Sequence, residues 1–393
     1  MLKISSLCFV ALSPPLEIQA LNGCDLIRVS LTIMKLNFNF ILKGFYPIVN
    51  GSRNRYNDFV ALNKNPEQLS YEKIITHNDF DGIVSASLCA WALKIERMLF
   101  AGPLTVAKGQ IMITEKDVVC DLPYPLLCAL WFDHHEGNVQ ELEYRKIDPK
   151  SIPGRFDLKP SCSRVVFEYF SEQQELPAYF LKAVEEADVI DSFSYASIED
   201  WKKETPGKVI DLTLKVSFQS LEEQLSHMRN LVRELRDRSI EEVSNVPFVQ
   251  KRLKQYKEEE GKMLKILAEA SLFLEQDQKK ELVVVDLTPY QRRPHLFKNL
   301  AFLIYPEALG VLEIYSLLDR GIKSNNLGFS MSLSVHGNRQ GQAKNIGEIM
   351  RSLNIGDGHP GAAAGTIRCR SKQEMLKRKK EILHQIFRLW SAQ

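Results

Sequence analysis

The stretch that most constrains the fold is 129–138. There a short apolar run, Ala129-Leu130-Trp131-Phe132, stops at Asp133-His134-His135 and is followed by Gly137 and Asn138. Four apolar residues rich in aromatics read as a buried strand. Charges just past the carboxyl end of such a strand stand where open α/β sheets place their ligands. Taken alone, an acid and two histidines at a strand end usually serve only to cap and hydrogen-bond. Two further strand ends share the design, however. Lys73-Ile74-Ile75-Thr76 runs into His77-Asn78-Asp79-Phe80-Asp81-Gly82, and Asp117-Val118-Val119-Cys120 runs into Asp121. Three acid-bearing strand ends in one stretch point to a single metal-binding crevice.

The remaining pattern sets the architecture. Gly82 opens a helix through Leu93, so strands alternate with helices and imply a mostly parallel sheet. Ser161 reads as the N-cap of a helix carrying Val165, Val166, Tyr169 and Phe170. A second helix, from Ala178 to about Ala187, delivers Asp188 and Asp191. Residues 217–280 are helical in pattern and dense in charge. Their two apolar stripes (Leu221, Leu225, Met228, Leu231, Leu235, and Met263, Leu264, Ile266, Leu267, Leu272) predict a solvated helical hairpin joining two domains. Sheet character resumes over 282–285, 310–315 and 328–335. A helix around 346–353, a glycine-rich turn over 356–365 and a basic C-terminal helix with its own apolar stripe follow. The expected division is an N-terminal extension 1–66, a parallel-sheet domain 67–216, a helical connector 217–280 and a smaller α+β domain 281–393.

Composition narrows the function by exclusion. The 393 residues carry a formal net charge of only +2, so an anionic partner must be held by a local patch or by metal. No run approaches the ~20 apolar residues of a membrane span. Seven cysteines without a Cys-x-x-Cys pair suggest reduced thiols in a cytoplasmic protein. Lys3 followed by Ile4 to Leu12 has the look of a short signal peptide, but an over-extended start with Met34 as the initiator is the preferred reading. Phosphate-loop, dinucleotide-binding and Gly-x-Ser-x-Gly signatures are missing, so use of ATP or NAD and serine-type hydrolysis find no support.

The polar residues then sort by chemistry. Alternation in extended chain puts His77, Asp79 and Asp81 on one side. Carboxylates with imidazole suit manganese, zinc or iron. Asp121 is a natural bridging carboxylate, His134 adds a nitrogen ligand, and His135 is a spare imidazole able to act as an acid or to donate to phosphate. Asp188 and Asp191 lie at a helix end, where acids are unfavourable to the dipole unless exposure or a cation compensates. Together these residues supply the donors for two divalent ions, an arrangement that suits phosphoester hydrolysis. Small residues at Gly358, Pro360 and Gly361 let backbone N–H groups approach an anion, and His359 can donate to one.

In their order, His77-x-Asp79-x-Asp81-Gly82, Asp121, Asp133-His134-His135 and Asp188 resemble the four motifs of the DHH phosphoesterase superfamily. Gly358-His359-Pro360-Gly361-Ala362-Ala363-Ala364-Gly365 resembles the glycine–histidine signature of the associated DHHA1 domain. The resemblance covers about residues 70–370. It implies an α/β fold with a Rossmann-like DHH domain, a helical connector and a smaller DHHA1 domain, the active site lying in the cleft between the two domains. It further implies two Mn²⁺ ions (Mg²⁺ or Co²⁺ as alternatives) on Asp79, Asp81, Asp121, His134 and Asp188, with Asp191 as the alternative to Asp188, Asp121 bridging and His77 as a further ligand. Catalytic roles fall to Asp133 and His135, the latter contacting the scissile phosphate, and His359 holds a substrate phosphate together with Gly358 and Gly361. Family members often carry Ser-x-Arg-Ser on a DHHA1 strand. Here Ser334-Val335-His336-Gly337 stands at that place, with His336 in the role of the arginine, while Asp357 adds a negative charge near the anion site. The implied substrates are short oligonucleotides or small nucleotides, with no membrane involved and a homodimer left open. The alternatives are an exopolyphosphatase-like phosphoanhydride hydrolase and an inactive nucleic-acid-binding scaffold.

Overall fold

The computed structural model describes residues 70–338 and 344–393. The N-terminal extension expected over 1–66 and the start at Met34 lie outside the described residues.

The first sheet is short and fully covered. Its strands β1 (Ile74–Thr76), β2 (Met98–Phe100), β3 (Val118–Cys120), β4 (Leu130–Asp133) and β5 (Gly154–Phe156) are all parallel, in the order β2-β1-β3-β4-β5. Every residue of β1, β3 and β4 is buried, as expected of a parallel sheet packed on both faces. Ile74, Val118 and Phe132 face one core, whereas Ile75, Val119 and Trp131 face the other. The three predicted strands are present. β2 and β5 were not predicted, because three-residue strands carry too little pattern to read. β5 opens at Gly154, whose φ is +109°, and a Cβ there would lie 2.1 Å from the Trp131 carbonyl oxygen. Only glycine fits, so a residue that reads as loop begins a strand. The expected alternation with helices also fails between β3 and β4, which are joined by the loop 121–129.

Helices α1 (Phe80–Leu93), α2 (Glu136–Tyr144), α3 (Cys162–Ser171) and α4 (Tyr179–Asp191) accompany this sheet. α1 follows β1 directly. Asp79 caps it by accepting from the Gly82 amide at 3.0 Å. Ser161 caps α3 as predicted, and α4 runs one turn further than predicted, through Asp191.

The segment expected to be a solvated hairpin is instead part of the core. Helix α5 (Leu221–Asp237) buries Met228, Leu231, Val232 and Leu235 in the same cluster as α1. Helix α6 (Pro247–Ala270) adds Val249, Leu253, Tyr256, Met263 and Leu267. Of the two apolar stripes, Leu221 and Leu272 are exposed, whereas Met228, Leu231, Leu235, Met263 and Leu267 are buried; what these pack against is not visible in the charge-dense sequence.

His227 on α5 yields a testable consequence. It is 7% exposed, its Nε2 lies 2.8 Å from Thr213 Oγ1, and the rings of Phe218 and Phe248 flank it. Burial, aided by the Arg252 charge, pushes its pKa down to about 4 from 6.5. Because the folded pKa is depressed, the unfolded chain binds an additional proton between these values. Stability therefore falls as pH drops from about 6.5 to about 4, by ~3 kcal/mol in total. Denaturant titrations across that window should show a smaller loss for His227→Gln than for the unmodified chain. Parallel losses would rule out this residue as a source.

The second sheet runs β10-β11-β9-β8-β7-β6. Its strands are β6 (Ser271–Leu272), β7 (Leu282–Asp286), β8 (Gly310–Asp319), β9 (Ile322–Leu333), β10 (Gly356–His359) and β11 (Ala362–Ile367). Only the β7–β8 pair is parallel. Leu312, Ile314, Phe329, Met331, Ala363 and Ile367 form its back face, packed against α7 (Ile346–Ser352) and α8 (Lys372–Ala392). The glycine-rich stretch read as a turn is the β10–β11 hairpin, where small residues let the strands and α7 pack backbone to backbone. The fold is thus two-domain α/β, a parallel sheet with helices followed by a mixed sheet.

Candidate metal centre

In the order β2-β1-β3-β4-β5 the chain leaves β1 toward β2 on one side and toward β3 on the other. The boundary of β1 and β3 is therefore a topological switch point, where open α/β sheets form a crevice beyond their carboxyl ends. His77, Asp79 and Asp81 follow β1, Asp121 follows β3, and His134 and His135 follow β4. Gly82 is what lets the turn after β1 close. A Cβ there would lie 2.3 Å from the His77 carbonyl oxygen.

Three groups of side chains in this crevice have the spacing to hold a cation. They are His77–Asp79–Asp121, Asp121–His134–His135 and Asp81–His134–Asp191. Asp121 and His134 each belong to two of them. His77 Nδ1 lies 2.6 Å from Asp79 Oδ2 and 3.5 Å from Asp121 Oδ2. His134 Nε2 lies 3.4 Å from Asp191, 3.7 Å from Asp121 and 3.9 Å from Asp81.

The surroundings hold these groups in place. Asp81 is buried and accepts from the Cys162 and Ser163 amides at 2.7 and 2.8 Å, so the start of α3 fixes its carboxylate. His134 Nδ1 lies 3.0 Å from the Lys159 carbonyl, to which it donates, so that Nε2 faces the acids. Asp133, fully buried, accepts from His135 Nδ1 at 2.9 Å and from Asn138 Nδ2 at 2.6 Å. Asp133 thus positions the His135 ring.

The electrostatics are those of a crowded acid site. Burial works against protonated His77 and His134, but the carboxylates prevail and drive their pKa values up to about 11 and about 10. Burial and the neighbouring Asp121 and Asp79 push Asp191 up to about 7. Burial and Asp121 likewise raise Asp81. A cluster that draws protons in this way is one where a divalent cation can take their place.

Asp188, the fourth-motif ligand that the resemblance implies, belongs to none of the three groups. Its carboxylate accepts from Arg164 Nε at 2.9 Å, from Arg164 Nη2 at 2.5 Å and from Ser161 Oγ at 2.6 Å. Asp191, one turn on, supplies the carboxylate at His134 instead. Both acids are on α4, and only their partners distinguish them. Arg164 was the available signal, a basic residue on an adjacent helix able to claim one acid. Lys159 and Asn138 were also missed, the first because it acts through its backbone.

The second-sheet residues divide similarly. His359 sits near His135 and His134, whose charges, added to burial, lower its pKa. Gly358 and Gly361 flank it on the hairpin, and the Gly361 amide donates to His359 Nδ1 at 3.3 Å. Asn338 ties this region to the metal-capable crevice by donating to the Ser192 carbonyl at 3.4 Å. His336 belongs to none of the three groups. The Asp357 charge is matched by Arg351 at 2.7 Å.

No protein-family model and no curated protein sequence matches the chain. Solved structures do. A pGpG-specific phosphodiesterase, PggH from Vibrio cholerae, aligns with a TM-score of 0.60 at 22% identity, over 81% of this chain and 99% of that one. A manganese-bound RecJ exonuclease aligns at 0.47 and 12% identity, over 84% and 93%. An exopolyphosphatase-related protein from Bacteroides fragilis aligns at 0.44 and 10%, over 87% and 99%. The likeness is one of fold.

Proposed function

We propose that the chain is a metal-dependent phosphoesterase that hydrolyses phosphodiester or phosphomonoester bonds of short oligonucleotides or small nucleotides. One observation carries this reading. Both carboxylate oxygens of Asp121 and Nε2 of His134 are buried without a hydrogen-bond partner, although they face one another across the crevice. Orphaned polar atoms of this kind are costly unless an ion or another polar partner satisfies them.

The donor set fits two divalent cations. Asp79, Asp121 and His77 would serve one and Asp81, His134 and Asp191 the other, with Asp121 linked to the second group through His134, 3.7 Å away. Mixed carboxylate and imidazole donors suit manganese, with magnesium as the harder alternative. Such a pair of ions supplies hydroxide at neutral pH and neutralises charge developing at phosphorus. The protein's own part is orientation and proton placement. Asp133 holds His135 by its Nδ1 proton, leaving Nε2 as the ring atom available to a phosphate oxygen. His359, on which the charges of His134 and His135 act, would hold a second phosphate oxygen.

No helix among the described residues is long and apolar enough to cross a membrane. The test is release of nucleotide and phosphate by the purified chain with Mn²⁺, from a dinucleotide, 3′-phosphoadenosine 5′-phosphate, a cyclic dinucleotide and polyphosphate. We expect cleavage of at least one nucleotide, abolished by a chelator and restored by Mn²⁺. Cleavage of polyphosphate alone would select a phosphoanhydride hydrolase, and silence on all four with metal bound would refute the reading.

A further inference from the structure

The front face of the second sheet carries a feature that the metal-centre chemistry does not use. Glu313 lies on β8, a central strand, and is 1% exposed. Its carboxylate accepts both Nε and Nη2 of Arg293 at 2.7 Å, a fork that fixes the guanidinium plane. The guanidinium lies on the Tyr315 ring, 3.8 Å from its centroid. Tyr315 in turn lies over Gly328, where a Cβ would be 2.5 Å from the ring, so the stack requires that glycine. Arg293 remains 41% exposed, and its Nη1 has no hydrogen-bond partner among the described residues.

Strand register shows what lies between this stack and the site. Glu313 pairs with Ser330, Ser330 with Ala364, and Ala364 with Asp357. One step along, Ser332 pairs with Ala362 and Ala362 with His359. Paired residues share a face, so His359 and Glu313 stand on the same side of the sheet. Between them Ala362, Ala364 and Ser330 are small and at least partly exposed, giving a low floor. Three strand spacings and two residues put His359 and Glu313 on the order of 16 Å apart. A lone phosphate cannot bridge that span, whereas a di- or trinucleotide laid along the floor can.

We infer that Arg293, held flat between Glu313 and Tyr315, is a nucleobase platform that makes the chain select short oligonucleotides over substrates lacking a base. The inference rests on the phosphoesterase reading above. Glu313 already balances the guanidinium charge, so what Arg293 offers is a flat face and a free Nη1 donor. Those suit a base better than a phosphate.

The experiment compares a 5′-phosphorylated dinucleotide with bis(p-nitrophenyl) phosphate, a diester without a base, in the unmodified chain and in Arg293→Lys. Lysine keeps a cation beside Glu313 but removes the plane. The paired change Arg293→Met with Glu313→Gln guards against misfolding from an unpaired buried carboxylate. We expect kcat/KM for the dinucleotide to fall on the order of 10- to 100-fold in both variants, the scale of one lost base stack, with the base-free diester unaffected. Calorimetric binding of guanosine monophosphate against ribose 5-phosphate gives a readout independent of turnover. Only the nucleotide should bind more weakly in the variants. If the unmodified chain hydrolyses neither diester, the phosphoesterase reading fails and the binding result alone decides this inference. Equal losses on both diesters, or unchanged nucleotide binding, would overturn it.

Discussion

Asp121→Asn is expected to lower phosphoester hydrolysis on the order of 10³-fold or more, the scale of removing a group that organises charge at the reacting centre. Asp121 is shared by two of the three metal-capable groups, and both its carboxylate oxygens are buried without a hydrogen-bond partner. An amide keeps the shape but replaces one oxygen with a donor nitrogen, which cannot bridge two cations. The substitution is also gentle on the backbone. Asp121 has a φ of +58°, a left-handed conformation that asparagine tolerates better than most residues. Bound manganese, measured by elemental analysis beside activity, should fall with it, while the circular dichroism spectrum stays that of the unmodified chain. Undiminished turnover with two ions still bound would remove Asp121 from the centre.

The second large effect separates two acids three residues apart. Asp191→Asn should weaken metal binding at least 10- to 100-fold, the range already seen for outer partners of metal ligands. It should leave thermal stability nearly unchanged, because Asp191 has no structural partner other than His134 among the ion pairs of the described residues. Asp188→Asn should do the reverse. Its carboxylate and Arg164 are 17% and 20% exposed and form a forked pair that also engages Ser161. Breaking a largely buried pair of this kind costs about 1–3 kcal/mol once partial exposure is allowed for. Activity per folded molecule should survive. Metal titration and thermal melts on both variants give the answer, and the opposite pattern would restore Asp188 as the ligand.

The same pair shows where sequence reading stops. Asp188 and Asp191 sit on one helix, in one turn, with the same side-chain chemistry. Sequence order favours Asp188 and nothing local contradicts it. The assignment depends on Arg164 of α3, which claims Asp188 across the helix pair, and on His134, which faces Asp191. The acids after β1 and β3 behave differently, because each stands at the end of an apolar run whose burial is dictated by its own composition. Their place in the crevice follows from strand periodicity. The helices of 217–280 lie between these cases. Their apolar stripes are plain in the sequence, but a stripe does not say what it meets, and here it meets the core rather than solvent.

What the sequence determined by itself is local. The strands over 74–76, 118–120 and 130–133 end in His77, Asp79, Asp121, His134 and His135, and Gly82 lets the turn between His77 and α1 close. These depend on alternation, on hydrophobic runs and on the space a glycine leaves, all properties of neighbours in the chain. What only the tertiary structure decided is pairing at a distance. It gave Asp188 to Arg164, fixed Asp81 with the amides of α3, and brought His359 under the influence of the His135 charge. It also held Arg293 flat between Glu313 and Tyr315. Each of these depends on which side chain reaches a partner first in three dimensions, and a linear pattern does not encode that competition.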